Sequence, residues 1–387
     1  MLGLHLKRPV STSYGVESER PVTIVKITAI SSSAPSAGHL DVSSDEPFME
    51  GLGECAALAS TGYAAESAYT AFDALERTHI PRLIEWSNTR EGLLPSIVDF
   101  SGIFDHPPSD HMAISAIEMA LIDIWLKYEG VSFSSWIGAI DSSVDAGSVV
   151  GVFGDVDLLI KKVGEYVDEG YKRIKIKISP SWDMEPVKSL VATFPDITFC
   201  ADANGSYAES SRDAMDQLEN LDRMGLGFIE QPFHRTQLGA TSKMAKSMDT
   251  PISLDESLVS LNDIHKAASM HAMDVACIKP GRLGGIMNSL EALSVCREEG
   301  LYAYVGGMYD TGLARRANAS LSAIGLTHFA ADIGGGELFV EGDPFGALRI
   351  RDGRMELYHG PGIAPLPNES LIERVCNKKR YFTCNNL

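Results

Sequence analysis

The stretch Arg173-Ile174-Lys175-Ile176-Lys177-Ile178 alternates strictly between a cation and an isoleucine. Side chains along a β-strand point to opposite faces in turn, so the three cations share one face and the three isoleucines the other. In a parallel sheet covered by helices the isoleucines pack on the helices, and the cations point into a barrel. The alternative is a surface edge strand with solvated lysines, whose charges would not need carboxylates nearby.

Three acidic residues and a further lysine follow at the ends of the next apolar runs. Asp202, Glu230, Asp255 and Lys279 come after Lys177 at intervals of 25, 28, 25 and 24 residues. Such an interval fits one strand, one helix and two loops, the repeating unit of a (β/α) barrel. We therefore predict an α/β fold, a modified (β/α) TIM-type barrel. Its charged residues should lie at the carboxyl ends of the strands, where such barrels carry their active sites.

The chain before the barrel predicts a separate α+β unit. Residues 22–30 alternate like a strand, and residues 64–86 and 110–130 have helical apolar spacing. Residues 31–46 are rich in Ser, Ala and Asp and are predicted to form a flexible loop.

Eight strand-like runs then alternate with helical segments, as a closed barrel requires. They are 148–153, 172–178, 197–202, 226–230, 252–255, 274–279, 301–305 and 328–333. We predict three parts of the chain: the α+β unit at 1–130, the barrel at 131–340 and a C-terminal segment at 341–387 that packs back on the first unit.

The composition describes an ordinary globular chain and argues against several functional classes. Its 387 residues suit a barrel of about 200–250 residues plus a second unit. The formal net charge of −19 argues against nucleic-acid binding, which depends on clustered Lys and Arg. No apolar stretch approaches the roughly 20 residues of a membrane span, and no signal-peptide pattern is present, so we predict a cytoplasmic protein without a membrane partner. The six cysteines have no CxxC spacing and are expected to be free thiols.

The carboxylates of Asp202, Glu230 and Asp255 are predicted to form an all-oxygen metal site without His or Cys. Such hard ligands favour Mg²⁺, with Mn²⁺ as a substitute. A purely structural network of ion pairs with the lysines is the alternative. Asn204 shares the strand face of Asp202 and could orient a ligand, whereas Glu256 points away from Asp255 and is expected to have a supporting role.

The two lysines suit proton transfer at a carbon next to a carboxylate. Lys177 ends the second predicted strand and Lys279 the sixth, so they would approach a substrate from opposite walls of an eight-stranded barrel. One lysine, as a free amine, would remove the proton while the metal and the lysines stabilise the enediolate. Neutralising a lysine of pKa ~10.4 at pH 7 costs about 4.6 kcal/mol. Burial beside other cations is expected to lower that pKa.

At these residues the chain resembles the enolase superfamily, specifically its muconate-lactonizing subgroup. The resemblance runs from about residue 8 to 345 and is carried by the ordered motifs KxK, DAN, IEQP, LDES and IKPGRLGG. It implies a capping domain, built from the N-terminal unit and the C-terminal segment, over the barrel mouth. It also implies the following site residues: Asp202, Glu230 and Asp255 as metal ligands, Lys177 and Lys279 as acid/base lysines, and Lys175 as a supporting lysine.

The motif GGMYDTGLAR at 306–315 narrows the resemblance to o-succinylbenzoate synthases and their relatives, the N-succinylamino acid racemases. Gly306, Gly307 and Met308 then approach the substrate, although a tight turn is an equal interpretation of the glycines alone. Ser13 and Tyr14, together with residues 51–55, are implied to belong to two mobile capping loops that close over it. The chain lacks the Asp-x-Asp pattern of dipeptide epimerases. Four residues depart from the usual motif and are expected to surround the substrate side chains: Asp310, Ala314, Arg316 and Ala317.

The resemblance implies a Mg²⁺-dependent synthase that removes water from a cyclohexadiene carboxylate carrying a succinyl group, a step towards menaquinone. Lys177 would abstract the α-proton and then protonate the departing hydroxide, with Lys279 stabilising the enediolate. Racemisation of N-acylamino acids by the same lysines, or a related reaction on another substrate, is the alternative. A non-catalytic barrel would lack a ligand or a lysine, and none is missing. Family members are commonly homo-oligomers, so we expect one here.

Overall fold

The N-terminal part is a three-stranded antiparallel sheet followed by helices. The computed structural model describes residues 1–12, 15–30, 48–104, 107–334 and 338–384. The predicted loop at 31–46, and Ser13 and Tyr14, lie outside these ranges. The sheet has the order β1-β2-β3, with β1 Leu2–Thr12, β2 Gly15–Ile30 and β3 Phe48–Cys55. The helices are α1 Ala68–Ala74, a π-helical turn Leu75–His79, α2 Ile80–Asn88, α3 Ile97–Ile103, α4 His111–Glu129 and α5 Phe133–Trp136.

Residues 51–55 belong to strand β3, so their prediction as a mobile loop is wrong. β3 pairs with β2 continuously, from Thr23↔Cys55 to Ile30↔Phe48. Gly51 and Gly53 allow the backbone of α4 to approach the strand, since a Cβ on Gly53 would lie 1.8 Å from the carbonyl oxygen of Ala116. The glycines therefore serve close packing under a helix rather than a turn.

Helix α4 confirms the prediction of a helix at 110–130, but it is buried on more than one face. Ile114, Ile117 and Leu121 pack in the core of the N-terminal part. Ile122 and Leu126, on another face, belong to the core of the barrel. The helix thus lies between the two units and contributes to both cores.

Seven parallel strands form the barrel sheet in the order of the sequence, from β5 to β11, as the repeating interval predicted. After β4 Ser143–Asp145, the elements are β5 Gly147–Val150, α6 Val156–Asp168, β6 Arg173–Lys177, α7 Met184–Thr193, β7 Thr198–Asp202, α8 Arg212–Leu221, a 3₁₀ turn Asp222–Met224, β8 Ile229–Glu230, α9 Leu238–Ala245, β9 Ile252–Leu254, α10 Leu261–Ser269, β10 Val275–Ile278, α11 Pro280–Leu283, α12 Ile286–Glu298, β11 Tyr302–Val305 and α13 Gly312–Ser322. The isoleucines of β6 are buried among residues of α6 and α7, as the alternation predicted.

The eighth predicted strand, 328–333, is reduced to a single bridge between Ala331 and Ala146 in the described ranges. The segment still closes the barrel. Asp332 N donates to Val305 O of β11 at 2.9 Å, and Gly147 N of β5 donates to Ala331 O at 2.7 Å. In the same segment, the carbonyl oxygen of Ala330 accepts from the Arg173 guanidinium, at 2.8 Å from Nη2.

The C-terminal segment contacts both units. β12 Ile350–Arg351 and β13 Arg354–Glu356 form a small antiparallel sheet with β4. Helix α14, Glu369–Val375, packs its Leu371 and Val375 against Leu2, Leu4 and Leu6 of β1. The division of the chain at residues 130 and 340 stays a prediction. Among the helices of the described ranges, none combines the length and the apolar character that crossing a membrane requires.

Glu118 of α4 makes the stability of this arrangement sensitive to pH. Its buried carboxylate accepts hydrogen bonds from Ile286 N and Met287 N at the start of α12. Burial raises the pKa of Glu118 from 4.5 to about 7, although these hydrogen bonds oppose the rise. The folded chain therefore binds more protons than the unfolded chain between these values. This group's stabilisation is present at low pH and is lost as the pH rises to about 7.

Glutamine does not ionise, so Glu118→Gln should not lose this stability as the pH rises. We expect its free energy of unfolding to increase by about 3 kcal/mol relative to that of the parent chain between pH 4.5 and pH 7.5. Urea unfolding of both proteins at several pH values measures this difference. Glu129→Gln, at the exposed end of the same helix, is the matched control and should leave the pH dependence of the parent unchanged. Parallel stability curves for Glu118→Gln and the parent would contradict the assignment.

Candidate active site

A cavity of about 140 Å³ lies at the carboxyl ends of the barrel strands. It brings together many of the residues singled out in the sequence. Its lining includes Lys175, Lys177, Asn204, Asp255, Lys279, Gly307, Met308 and Asp310 from the predicted set, with Leu58, Tyr63, Tyr309, Arg315 and Asp332 in addition.

Lys177 and Lys279 reach this cavity from strands that are four positions apart in the sheet. Lys177 is the last residue of β6, and Lys279 directly follows β10. Because the order of the sheet is the order of the sequence, β7, β8 and β9 lie between them. The two ammonium groups therefore approach the cavity from different walls.

Each predicted carboxylate is bound by cations of the chain. Asp202 Oδ2 lies 2.6 Å from Lys177 Nζ, and Glu230 Oε2 lies 2.9 Å from Lys175 Nζ. Asp255 accepts from Lys279 Nζ at 3.0 Å and from the guanidinium of Arg282. All three carboxylates are at most 1% exposed, so the charges compensate each other in a region with little water.

Asn204 and Glu256 support this set from one side. Asn204 Oδ1 accepts from Lys177 Nζ at 2.7 Å, and its Nδ2 donates to Glu256 Oε1 at 2.9 Å. Asn204 N donates to Asp202 Oδ1 at 3.0 Å. Asn204 lines the cavity and Glu256 does not, so Asn204 connects Glu256 to Lys177.

The acidic groups can hold a divalent metal ion. Within the described part of the chain, ligand atoms of Glu230, Asp255 and Cys277 lie within 4.8 Å of one another. Burial raises the pKa of the Cys277 thiol well above its ordinary value, so the thiol stays protonated and is a poor ligand. Asp202 pairs with Glu230 across β7 and β8 and offers the further carboxylate. Oxygen donors of this kind fit a hard divalent cation.

The lysine pKa values differ from the expectation. Burial lowers the pKa of Lys279, but the carboxylate of Asp255 and the phenol of Tyr63 raise it well above its ordinary value. The pKa of Lys177 is likewise raised: burial and Lys175 lower it, but Asp202, Tyr309 and Glu230 together raise it above its ordinary value. The prediction that the pKa values of these lysines are lowered is therefore wrong for the chain without a bound metal. Each lysine has a carboxylate that is closer to it than any other cation.

The carboxyl groups titrate at very different pH. Burial and the negative charge of Asp202 raise the pKa of Glu230 to about 8, although Lys175 opposes this. The pKa of Asp202 is lowered, because Lys177 and Lys175 together outweigh the effect of burial. Arg282 and Lys279 likewise hold the pKa of Asp255 far below its usual range despite burial. At neutral pH the chain alone therefore holds a proton on Glu230 between two ionised neighbours.

The glycine motif after β11 provides space for the reacting groups. A Cβ on Gly306 would lie 2.5 Å from Cε of Lys279, and one on Gly307 would lie 2.3 Å from Asp332 O. The carbonyl oxygen of Met308 accepts from Arg20 Nε at 3.2 Å, which ties the motif to the N-terminal unit. Ser13 and Tyr14 lie outside the described residues.

The departures from the family motif divide into two groups. Asp310 lines the cavity and accepts from Met308 N at 3.0 Å, as expected for a residue near the substrate. Arg316 instead donates to Gly312 O and Phe345 O, and Ala314 and Ala317 are buried in the barrel core. The expectation that all four residues surround the substrate is therefore wrong for these three.

Sequence reasoning missed three aromatic and acidic side chains of the site. Tyr63 OH lies 2.9 Å from Asp255 Oδ2 and 2.8 Å from Lys279 Nζ. Tyr304 donates to Glu230, and Asp332 Oδ2 lies 2.7 Å from Lys175 Nζ. Asp332 lies at the end of the last strand-like run, 328–333, so the strand-end rule that selected Asp202 could have found it. No local signal identifies Tyr63, which comes from the N-terminal unit.

Comparison with known proteins gives consistent matches. The family model described as "Enolase C-terminal domain-like" matches residues 159–370. An N-succinylamino acid racemase from an Amycolatopsis species is 32% identical over 379 residues, covering 97% of this chain and 96% of that protein. An o-succinylbenzoate synthase from Bacillus subtilis strain 168 is 30% identical over 384 residues, covering 99% and 96%. A solved structure of an enolase superfamily member from Listeria innocua is 27% identical with a TM-score of 0.85, covering 97% of this chain and 94% of that one.

Proposed function

The chain belongs to the enolase superfamily, and from this premise we propose that it is a Mg²⁺-dependent o-succinylbenzoate synthase, a carbon–oxygen lyase on the route to menaquinone. The observation that carries the proposal is the meeting of Lys177 and Lys279 with Asp255 in one cavity, from separate walls. A full-length relative at 30% identity bears this activity in its name. The substrate is a small anionic carboxylate.

Asp202, Glu230 and Asp255 would hold the Mg²⁺, or Mn²⁺ in its place. When bound, the divalent cation supplies positive charge that stabilises negative charge developing on the carboxylate of the substrate. The chain presents these donors from β7, β8 and the residue after β9, and Asn204 keeps Asp202 oriented through its backbone N–H. Cytoplasmic location and assembly into a homo-oligomer stay predictions.

The two lysines have different roles in the synthase reaction. Lys177 removes the α-proton of the substrate in its free-amine form, which its raised pKa makes the minor form in the chain without metal or substrate. It then returns the proton to the departing hydroxide, so that water is lost. Lys279 stabilises the enediolate from the other wall. Lys175 lies 2.9 Å from Glu230 Oε2 and 2.7 Å from Asp332 Oδ2, and it keeps its positive charge as a supporting group.

Racemisation of N-acylamino acids is the second candidate. The position of one lysine on each side of the cavity favours it, because a racemase needs an acid or a base on both faces of the same carbon. A relative at 32% identity is named for the reaction on N-succinylamino acids. Both reactions proceed through the same enediolate and need the same three carboxylates.

The experiment that tests the proposal is an absorbance assay of o-succinylbenzoate formation by the purified chain. We expect turnover with Mg²⁺, loss of turnover with EDTA, and recovery when Mg²⁺ or Mn²⁺ is restored. Asp202→Asn should weaken Mg²⁺ binding, measured by calorimetry, whereas Asp213→Asn on the exposed side of α8 should not.

Two outcomes would change the assignment. No synthase turnover in protein that still binds Mg²⁺ would overturn the synthase. Exchange of the α-proton of an N-succinylamino acid in D₂O, followed by proton NMR, would then support the racemase. Synthase turnover that persists in EDTA would show that the carboxylates do not serve as a metal site.

A further inference from the structure

A second cavity of about 290 Å³ lies between the N-terminal unit and the barrel, and it shares no lining residue with the active-site cavity. This volume is at the lower end of the range for small-molecule sites. Its lining consists of Ala64, Ala65, Glu66, Pro108, His111 and Met112 from the N-terminal unit, with Arg235, Thr236, Glu256, Ser257, Val259 and Arg282 from the barrel. Ala65, Pro108 and Thr236 are exposed and form the rim, whereas Met112 and Arg282 are buried.

Arg282 brings hydrogen-bond donors without acceptors to the floor of this cavity. The residue is 3% exposed, and its Nη2 donates to Asp255. Its Nε and Nη1 are buried and have no hydrogen-bond partner in the described part of the chain. Unpaired N–H groups of a buried cation are costly, so an acceptor placed beside them would be bound favourably.

Three further charged side chains line the cavity. Arg235 places a second guanidinium in the lining. Both carboxyl oxygens of Glu66 are already engaged by the backbone, by Met112 N at 2.6 Å and Ala113 N at 3.3 Å. Glu256 accepts a hydrogen bond from Asn204 Nδ2 at its Oε1, at 2.9 Å.

The other walls are apolar and set the shape of the ligand. Met112 and Val259 supply apolar surface to the cavity, together with Ala64, Ala65 and Pro108. A ligand that fits both halves has an anionic end and an apolar body. A fully hydrated inorganic anion would leave the apolar walls in contact with water, which favours an organic anion.

We propose that this cavity binds a small organic carboxylate, whose oxygens accept from Arg282 and Arg235 and whose apolar body packs against Met112 and Val259. None of these residues lines the active-site cavity, so binding can be measured without turnover.

The test is a fluorine NMR titration of the full chain with 4-fluorobenzoate, once with Mg²⁺ and once with EDTA. We expect saturable binding of equal affinity in both conditions. Val259→Phe fills the cavity and should weaken binding at least tenfold. Val98→Phe makes the same change at a valine that is 86% exposed and should bind like the parent.

A second variant tests the charge, in case the first alters the local packing. Arg235→Gln should weaken binding of 4-fluorobenzoate about tenfold, and inorganic phosphate should compete only weakly. The proposal is overturned by any of three results: no saturable binding up to about 10 mM, binding that requires Mg²⁺, or binding unchanged in both variants. Phosphate that binds more tightly than 4-fluorobenzoate would also overturn it in favour of an inorganic anion.

Discussion

Replacing Lys279 by alanine is expected to lower the turnover number by about 10²–10³-fold, since losing one group that stabilises a developing anion typically costs that much. The same variant should bind Mg²⁺ at least as tightly as the parent. Lys279 Nζ lies 3.0 Å from Asp255 Oδ2, so in the parent its positive charge competes with a metal ion for that carboxylate. Loss of the ammonium group leaves Arg282 as a partner of Asp255. Activity and metal binding are therefore predicted to separate.

Steady-state kinetics and Mg²⁺ calorimetry on the same preparation measure the two effects. Lys266→Ala, at an exposed position of α10, is the matched control and should change neither. A Lys279→Ala protein that folds but no longer binds Mg²⁺ would show that the lysine organises the carboxylates. Retention of more than about a tenth of the parental turnover would place the catalytic group elsewhere.

The parts of the site that follow from local patterns were predictable. The alternation in β6 places Lys175 and Lys177 on one face whatever the rest of the chain does. The regular interval then places Asp202, Glu230 and Asp255 at one end of the sheet, because parallel strands joined by helices all run in the same direction. These rules need only the sequence within about one repeat, and the structure places all of these residues around the predicted cavity or next to it.

The parts that depend on distant contacts were not predictable. Tyr63 meets Asp255 across 192 residues of sequence, and no pattern near Tyr63 indicates this. The lysine pKa values were expected to fall because the lysines would be buried beside other cations. In the structure each lysine is closest to a carboxylate from another strand, which reverses the sign. Arg282 belongs to no repeating sequence pattern, and its role depends on the groups that surround it in the folded chain.

Glycine in β3 illustrates how the same residue supports opposite predictions. A glycine-rich run such as Gly51-Leu52-Gly53 indicates a loop when only the conformational freedom of glycine is considered. The backbone is regular strand here, and neither glycine has a positive φ. Their shared feature is the absence of a Cβ on the side that faces α4, which becomes apparent only when the helix is in place.

Gly53→Ala is accordingly expected to destabilise the fold by about 3 kcal/mol or more, within the upper range for overpacked sites. The new Cβ would lie 1.8 Å from Ala116 O and 2.7 Å from Ala120 N. Both are backbone atoms of α4 and cannot rotate away. Urea unfolding measures the loss, and Gly239→Ala in α9 is the matched control, since a Cβ there meets nothing within 4 Å. That control should be neutral or up to about 1 kcal/mol more stable, because alanine favours a helix.

The same change should also impair catalysis, because β3 continues directly into the contact between the two units. Glu54, the next residue, accepts from Thr311 N at 2.9 Å and from Ala314 N at 3.3 Å at the start of α13. A shift of the strand away from α4 would therefore move the end of the motif that contains Met308 and Asp310. We expect turnover to fall together with stability in Gly53→Ala and to be retained in Gly239→Ala. If Gly53→Ala were as stable as the parent, α4 would not pack against the strand as closely as described.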